Sequence, residues 1–342
     1  MKRNLLICFT SMIFLMSCNN KEQLLTSLKR YNDSMESKGY HFGDHLMLPK
    51  EITDKAETIT ISFGDKETSN LKIDPQFFRL GNNDVTFVIK TKGGETLNQD
   101  ATINVLAATP EKTISYEIVA DYPHDENNFV EGFLLEGNMV YESDGLEGSS
   151  QLIKYTLGNK TPTVTEKQTD KIFSEGCAVV GEKIYQLTYQ NRLGFIYDKN
   201  TFKKISEFPL PNALAEGWGL TYDGKNLIAT DGSSNLYFLD VNDPSKVVRT
   251  VSVAGNKEVY DKLNELECHN GFIYSNIWFK PLVLKIDPST GQVVEKFDFT
   301  KTTEENMAGN TEHVLNGIAF KGENMLITGK NWSKIYEVKI KN

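Results

Sequence analysis

Five related segments between residue 113 and the C-terminus constrain the fold of this chain more than any other feature of its sequence. Each segment has an apolar residue, a polar anchor of the Glu-Gly or Asn-Gly kind, a hydrophobic strand, a Gly turn and a second strand. The anchor residues are Glu131, Glu175, Glu216, Asn264 and Asn316, spaced by 44, 41, 48 and 52 residues. Radially repeated four-stranded sheets have periods in this range, so the spacing predicts a β-propeller.

Five anchors predict five blades over residues 113–342, with an early strand at residues 114–119 completing the C-terminal blade. Closure of this kind removes exposed sheet edges and brings one anchor per blade to a shared central channel. For most anchors a purely structural role, in which they satisfy backbone amides where inner strands crowd, is the alternative. A channel that gathers several carboxylates is nevertheless a place where pKa values are perturbed.

The N-terminal third has a different pattern. Residues 46–110 contain short runs of alternating polarity at 58–63, 85–89 and 102–106, separated by Gly and Asn/Asp clusters. A period of two with such punctuation predicts a small β-sandwich, for which an immunoglobulin-like arrangement is one option. We expect it to act as a spacer or docking module. Residues 19–45 are polar and predict a tether that includes one helix around Leu24, Leu28 and Tyr31.

The first 18 residues have the composition of a targeting signal. Lys2 and Arg3 precede an apolar stretch, residues 5–16, that is too short to span a bilayer comfortably. The stretch ends in Leu-Met-Ser-Cys, which resembles the lipobox of bacterial lipoproteins. This pattern predicts a signal peptide over residues 1–18, lipidation of Cys18 and a lipid-anchored location in the cell envelope, periplasmic or on the outer surface. An ordinary secretory signal with a chance Cys is the alternative.

Charge, cysteine and histidine content exclude several classes of function. The net charge of −9 gives no basic footprint for nucleic acid. Cys177 and Cys268 fall in non-adjacent repeats and are expected to be buried free thiols. None of the five histidines has the spacing of a zinc site, so no metal or other cofactor is predicted.

The repeats also carry a family resemblance, which extends over roughly residues 118–340. The segments that carry it are 141–150, 184–191, 194–198, 216–220, 230–234, 263–267, 276–278, 314–319 and 328–332. In order, they resemble the plant and bacterial glutaminyl-peptide cyclotransferases, which are five-bladed β-propellers. The resemblance implies that the chain converts the N-terminal glutamine of peptides or proteins to pyroglutamate and releases ammonia.

The same resemblance implies roles for individual residues. The family's essential acidic residue falls on Glu175, and the first anchor, Gln or Glu in the family, is Glu131. The aromatic walls and polar contacts of the family's substrate pocket fall on Tyr189, Trp218, Trp278, Asn264 and Lys330.

Two departures from the family pattern affect the pocket. Tyr189 stands where relatives often have Trp, and Phe279-Lys280-Pro281 replaces a common Gln-Thr-Asp. Because of the second departure, the resemblance does not establish which residues form the rim of the site.

These residue types suit the cyclisation. The α-amine attacks the γ-carboxamide of the same residue, so the enzyme must mainly orient a tethered nucleophile, and aromatic walls can confine it. Glu175 can take a proton from the attacking amine and return it to the leaving nitrogen, a transfer typically worth about 10²–10⁴-fold. Lys330 and Asn264 can donate to the developing oxyanion or hold the substrate.

Other interpretations of these residues and of the whole chain remain open at this point. The tryptophans can serve as packing between blades, Lys330 as a rim charge and Asn264 as a cap for inner-strand amides. The whole chain can be a non-catalytic propeller lipoprotein that binds a peptide or glycan. It can also be another propeller hydrolase or lactonase, with metal held by the channel anchors.

Overall fold

A computed structural model describes residues 22–35 and 37–341. The predicted signal peptide and Cys18 lie outside these residues. The chain divides into two compact units: Met1–Ala108 with Lys257–Val259, and Thr109–Asn256 with Tyr260–Asn342. In the part of the chain that is described, no helix has both the length and the apolar character needed to cross a membrane.

The first unit contains one five-stranded sheet with the order β1-β5-β4-β2-β3, in which only β1 runs parallel to its neighbour. Its elements are helix α1 at residues 22–35, β1 Gly39–Tyr40, α2 Lys50–Thr53, β2 Ala56–Phe63, β3 Lys66–Thr68, β4 Gly81–Thr91 and β5 Thr96–Val105. Helix α1 buries a stripe at helical spacing that includes Leu24, Leu28, Tyr31 and Met35. Tyr31 meets Phe87 of β4 edge to face, with ring centroids 6.4 Å apart.

A β-sandwich was predicted over residues 46–110, and this prediction is wrong about the second sheet. Alternation along β4 is real, because Val85, Phe87 and Ile89 are buried, but α1 rather than a second sheet packs on that face. A period of two identifies the buried face of a strand without saying what covers it. Residues 19–45, predicted as a tether with one helix, supply both α1 and β1.

The second unit contains five further sheets, so the chain is all-β with few helices. The first sheet consists of β8 Val130–Glu136, β9 Met139–Asp144, β10 Gln151–Thr156 and β11 Val164–Lys167. The second consists of β12 Ser174–Val180, β13 Lys183–Thr188, β14 Leu193–Asp198 and β15 Lys204–Pro209. The third consists of β16 Leu220–Tyr222, β17 Asn226–Ala229, β18 Asn235–Asp240 and β19 Asp243–Ser252. The fourth sheet is β20 Leu263–His269, β21 Phe272–Ile277, β22 Lys280–Ile286 and β23 Val293–Asp298, to which β6 Lys112–Thr113 adds in parallel. After helix α3, Thr300–Asn306, the fifth sheet is β24 Leu315–Lys321, β25 Asn324–Gly329, β26 Lys334–Ile340 and β7 Tyr116–Pro123. The architecture is propeller-like.

An early strand completes the last sheet, as predicted. Strand β7 pairs antiparallel with β26 from Lys334 opposite Pro123 to Ile340 opposite Tyr116. The first strand of each sheet contacts the first strand of the next, and β24 contacts β8. Apolar clusters fill the space between neighbouring sheets.

The repeated glycines explain how the inner strands approach so closely. A Cβ on Gly176 would lie 2.3 Å from the backbone nitrogen of Leu220, and one on Gly219 would lie 2.1 Å from the carbonyl oxygen of Asn264. Neither position has room for a side chain, because the atoms it would meet are backbone. The Gly of the repeat therefore sets the contact between one inner strand and the next.

Candidate active site

One cavity of about 220 Å³ lies at the ends of the inner strands of the second unit. Its lining residues are Phe129, Glu131, Phe173, Glu175, Tyr189, Trp218, Asn264, Trp278, Glu312 and Lys330. All seven residues that the sequence places in the substrate pocket are among them.

The hairpin geometry of the sheets explains this convergence. Glu131, Glu175 and Asn264 lie at the start of β8, β12 and β20, the first strands of their sheets. Tyr189 and Lys330 follow the ends of β13 and β25, which are second strands. In an antiparallel hairpin the start of the first strand and the end of the second lie at the same edge. Two sequence positions per sheet therefore reach the same end of the molecule.

Aromatic rings form much of the cavity wall. Trp218 and Trp278 meet nearly perpendicular, at 84° and 5.5 Å between ring centroids. Phe173 contacts Tyr189 at 5.6 Å and Phe129 at 6.3 Å. The tryptophans therefore line the cavity as well as packing on each other.

The Trp218 indole is fixed by a hydrogen bond. Its Nε1 donates to Glu216 Oε2 at 3.1 Å, and the other oxygen of Glu216 accepts from Gln190 Nε2 at 3.0 Å. The N–H of the Trp218 indole is therefore not available as a donor to a ligand. The carboxylate of Glu216 orients this ring instead.

Lys330 is not a rim charge, because only 5% of it is exposed. Its Nζ donates to Glu131 Oε1 at 2.6 Å and lies 4.5 Å from the centre of the Phe129 ring. Glu131 Oε2 accepts from Asn316 Nδ2 at 3.1 Å, and the same amide donates to the carbonyl of Val130 at 2.7 Å. The anchor Asn316 thus holds an inner strand and also orients a cavity carboxylate.

Glu175 is 5% exposed, and among the described residues no donor is hydrogen-bonded to its carboxyl group. Burial raises its pKa well above the usual range, the Glu131 carboxylate raises it further, and Lys330 only partly opposes this. Burial also raises the pKa of Glu131, against the opposing effects of Lys330 and Asn316. One ammonium group faces two carboxyl groups, so the charge stays on Glu131, which contacts it, and Glu175 retains its proton.

Asn264 offers a free acceptor to the cavity. The residue is 3% exposed, and its Oδ1 has no hydrogen-bond partner within the described part of the chain. Its backbone carbonyl is engaged, since it accepts from Thr230 Oγ1 at 2.8 Å. The inner-strand N–H of Gly219 is capped by Thr230 Oγ1 and not by the Asn264 amide, which leaves the Asn264 side-chain oxygen for a ligand.

Sequence reasoning missed three lining residues. Phe129 and Phe173 each stand two positions before an anchor glutamate. Residues i and i+2 of an extended segment point to the same side, so the repeated Phe-x-Glu-Gly pattern carried a usable signal. Glu312 lies on the segment before β24, has no counterpart in the other repeats and had no such signal.

Phe279, where the sequence was expected to depart from relatives, lies beside a cavity wall. It is 45% exposed, has φ of 59° and contacts Trp278 at 4.5 Å between ring centroids. An exposed aromatic ring thus adjoins the Trp278 wall of the cavity.

Metal-ligating side chains and cysteine thiols are the other reactive groups of this chain. No group of three or more His, Cys, Asp or Glu in the described ranges could hold a metal ion. Cys177 is buried, Cys268 is partly exposed, and both are free. Burial raises the pKa of Cys268 to about 11, so its thiol is protonated at neutral pH.

Comparisons with known proteins agree on one family. The model of the glutamine cyclotransferase family matches residues 90–340. A glutaminyl-peptide cyclotransferase from Arabidopsis thaliana is 34% identical over 230 residues, which are 66% of this chain and 71% of that protein. The crystal structure of Myxococcus xanthus glutaminyl cyclase superposes with a TM-score of 0.61 at 33% identity, covering 67% of this chain and 98% of the other. The family match begins before residue 118, where the resemblance in sequence was expected to start.

Proposed function

The chain belongs to the glutamine cyclotransferase family, and on that basis we propose that it is a glutaminyl-peptide cyclotransferase whose active site is the cavity around Glu175. It converts the N-terminal glutamine of peptides and proteins to pyroglutamate and releases ammonia. The observation that carries the site assignment is the buried, unpartnered Glu175 carboxyl group beside the Glu131–Lys330 ion pair. Aromatic walls complete a space of about 220 Å³, which suits one glutamine side chain folded back on its own amine.

Substrate binding uses the fixed polar groups. The Oδ1 of Asn264 accepts an N–H of the α-amine, since it has no other partner in the described structure. Lys330 lies on the Glu131 side of the cavity and donates toward the oxygen of the γ-carboxamide as negative charge develops there. Trp218, Trp278 and Tyr189 confine the methylene groups of the side chain between them.

Glu175 moves one proton between two nitrogens of the substrate. The neutral α-amine, with an ordinary pKa of about 7.7–8.0, attacks the γ-carbon and forms the ring C–N bond. The Glu175 carboxyl group gives its proton to the carboxamide nitrogen, the C–N bond to that nitrogen breaks and ammonia leaves. The Glu175 carboxylate then takes the extra proton from the ring nitrogen, so the enzyme returns to its starting state.

This order differs from the one expected from the sequence, in which Glu175 acts first as a base. The raised pKa of Glu175 favours donation first, because the group already holds a proton before substrate binds. The net transfer is the same in both orders.

Several finer features belong to the same proposal. The five sheets of the second unit are five blades of a propeller, supported by the ring of contacts between their first strands. The reaction needs no metal, since the proton transfer and the oxyanion contact are supplied by side chains. Cys18 is lipidated and anchors the protein in a bacterial cell envelope, on the evidence of the lipobox-like Leu-Met-Ser-Cys alone.

The test is ammonia release from a pair of peptides. Purified protein lacking residues 1–18 should release ammonia from Gln-Ala amide and leave N-acetyl-Gln-Ala amide unchanged, because the acetyl group blocks the nucleophile. The uncatalysed rate of each peptide is subtracted. No ammonia from the free-amine peptide above this background would overturn the proposed function.

A further inference from the structure

A buried ion pair outside the cavity has no part in the chemistry above. His124 lies between β7 and β8 and is 2% exposed. Its Nδ1 is 2.6 Å from the carbonyl oxygen of Trp332, and its Nε2 is 3.1 Å from both carboxylate oxygens of Glu142. A carbonyl and a carboxylate are both acceptors, so both ring nitrogens donate and the ring is an imidazolium.

The Glu142 carboxylate accepts hydrogen bonds from two further donors. Asn128 Nδ2 donates to Oε1 at 2.7 Å, and the hydroxyl of Tyr155 donates to Oε2 at 2.5 Å. Burial raises the pKa of Glu142, but His124 and the hydrogen bonds with Tyr155 and Asp144 lower it more, so the carboxylate stays ionised. Burial lowers the pKa of His124, and Glu142 more than offsets this, with a smaller contribution from Asp125. Asp144, whose pKa is raised well above its usual range, is the other carboxyl group beside Glu142.

The ion pair fixes the turn that follows Lys330. Asn331 has φ of 58°, a left-handed conformation that its surroundings must hold. Its backbone N–H donates to the carbonyl of Asn128 at 2.8 Å, and the backbone N–H of His124 donates to the carbonyl of Ser333 at 2.9 Å. Together with the His124 bond to Trp332, these contacts tie residues 331–333 to residues 124–128.

Each of these two segments adjoins a residue that lines the cavity. Lys330 directly precedes the fixed turn, and Phe129, on whose ring its ammonium lies, directly follows Asn128. A rotation of the turn would therefore move the ammonium away from Glu131 and from the oxygen that it is to stabilise.

We propose that His124 and Glu142 are positioning residues for the cyclisation, which hold Lys330 in place through the turn at residues 331–333. This rests on the proposed function and adds to it two residues that do not line the cavity.

The last sheet, which β7 completes, provides a control. Glu337 on β26 also accepts from a tyrosine, a cation and an asparagine: Tyr122 at 2.5 Å, Lys321 at 2.9 Å and Asn324 at 2.6 Å. It is 6% exposed, and none of its three partners lines the cavity. Glu337→Gln therefore removes a comparable buried carboxylate from the closing sheet without touching the turn after Lys330.

The experiment compares His124→Gln with Glu337→Gln, with the melting temperature, kcat and KM for Gln-Ala amide measured for both and for the wild type. Displacement of a group by about 1 Å can cost on the order of 10²-fold, so His124→Gln should lower kcat by about 10- to 100-fold. Its KM should change much less, because Lys330 acts on charge that develops in the transition state. Glu337→Gln should keep kcat within about twofold, because it does not alter the turn after Lys330.

A second measurement does not depend on the variant folding. The ¹⁵N shifts of the His124 ring in the wild type should show both nitrogens protonated at pH 8, where an unperturbed histidine is neutral. A neutral ring at pH 8, or equal kcat for the two folded variants, would overturn the proposal. Failure of the proposed function itself looks different, because the wild type would then release no ammonia.

Discussion

Replacement of Glu175 by Gln isolates the proton transfer from the rest of the site. Because the buried Glu175 carboxyl group holds its proton, a neutral amide of nearly the same shape should leave the fold and the cavity intact. We expect the melting temperature to change by no more than about 3 °C, which corresponds to about 2 kcal/mol for a protein of this size. The amide cannot give up a proton and take it back, so kcat should fall by about 10²–10⁴-fold, or about 3–5 kcal/mol in activation free energy.

The assay is coupled ammonia release from Gln-Ala amide, with pyroglutamyl peptide confirmed by mass spectrometry. Glu265→Gln is the matched control, because Glu265 is a buried carboxyl group with a raised pKa that accepts from the backbone of Ile318 and does not line the cavity. It should keep kcat within about threefold. A folded Glu175→Gln protein with more than about a third of wild-type kcat would refute the assignment and make Glu131 the next candidate.

Three further predictions concern metal dependence, lipidation of Cys18 and the pH dependence of stability. Exhaustive zinc chelation should leave turnover unchanged, and loss of turnover that zinc restores would contradict the mechanism. Full-length protein expressed in a bacterium should partition into detergent and Cys18→Ala should not, whereas a wholly soluble wild type cleaved elsewhere would refute lipidation. Burial raises the pKa of Glu267 from 4.5 to about 8, so the folded state binds the extra proton. Its contribution to stability is complete below pH 4.5 and is lost as pH rises to about 8. The free energy of unfolding should therefore fall over that window by about 3–6 kcal/mol more in the wild type than in Glu267→Gln, and parallel curves would contradict this.

The second unit was predictable because its repeats carry both the architecture and the site. The anchor spacing located the first strands, and Gly176 and Gly219 are required by backbone contacts that a Cβ would violate. The family resemblance then selected seven cavity residues, and hairpin geometry brings them to one end.

The sequence could not predict which residues distant in the chain contact each other in the folded protein. The Glu131–Lys330 ion pair joins residues 199 positions apart, and nothing in either segment indicates that contact. The sequence did not single out His124, because its partners are distant in the chain and lie on β9 and after β25. In the first unit, alternation along the strands found the buried face but not the helix that covers it.

If the reaction is an intramolecular aminolysis, oxygen from water does not enter the product. Gln-Ala amide is turned over in water enriched in ¹⁸O, and the peptide product is examined by mass spectrometry. We expect one ammonia per pyroglutamyl peptide with no ¹⁸O incorporated, because the α-amine rather than water attacks the γ-carbon. A linear glutamyl peptide carrying ¹⁸O in its γ-carboxyl group would instead show that the protein is a hydrolase.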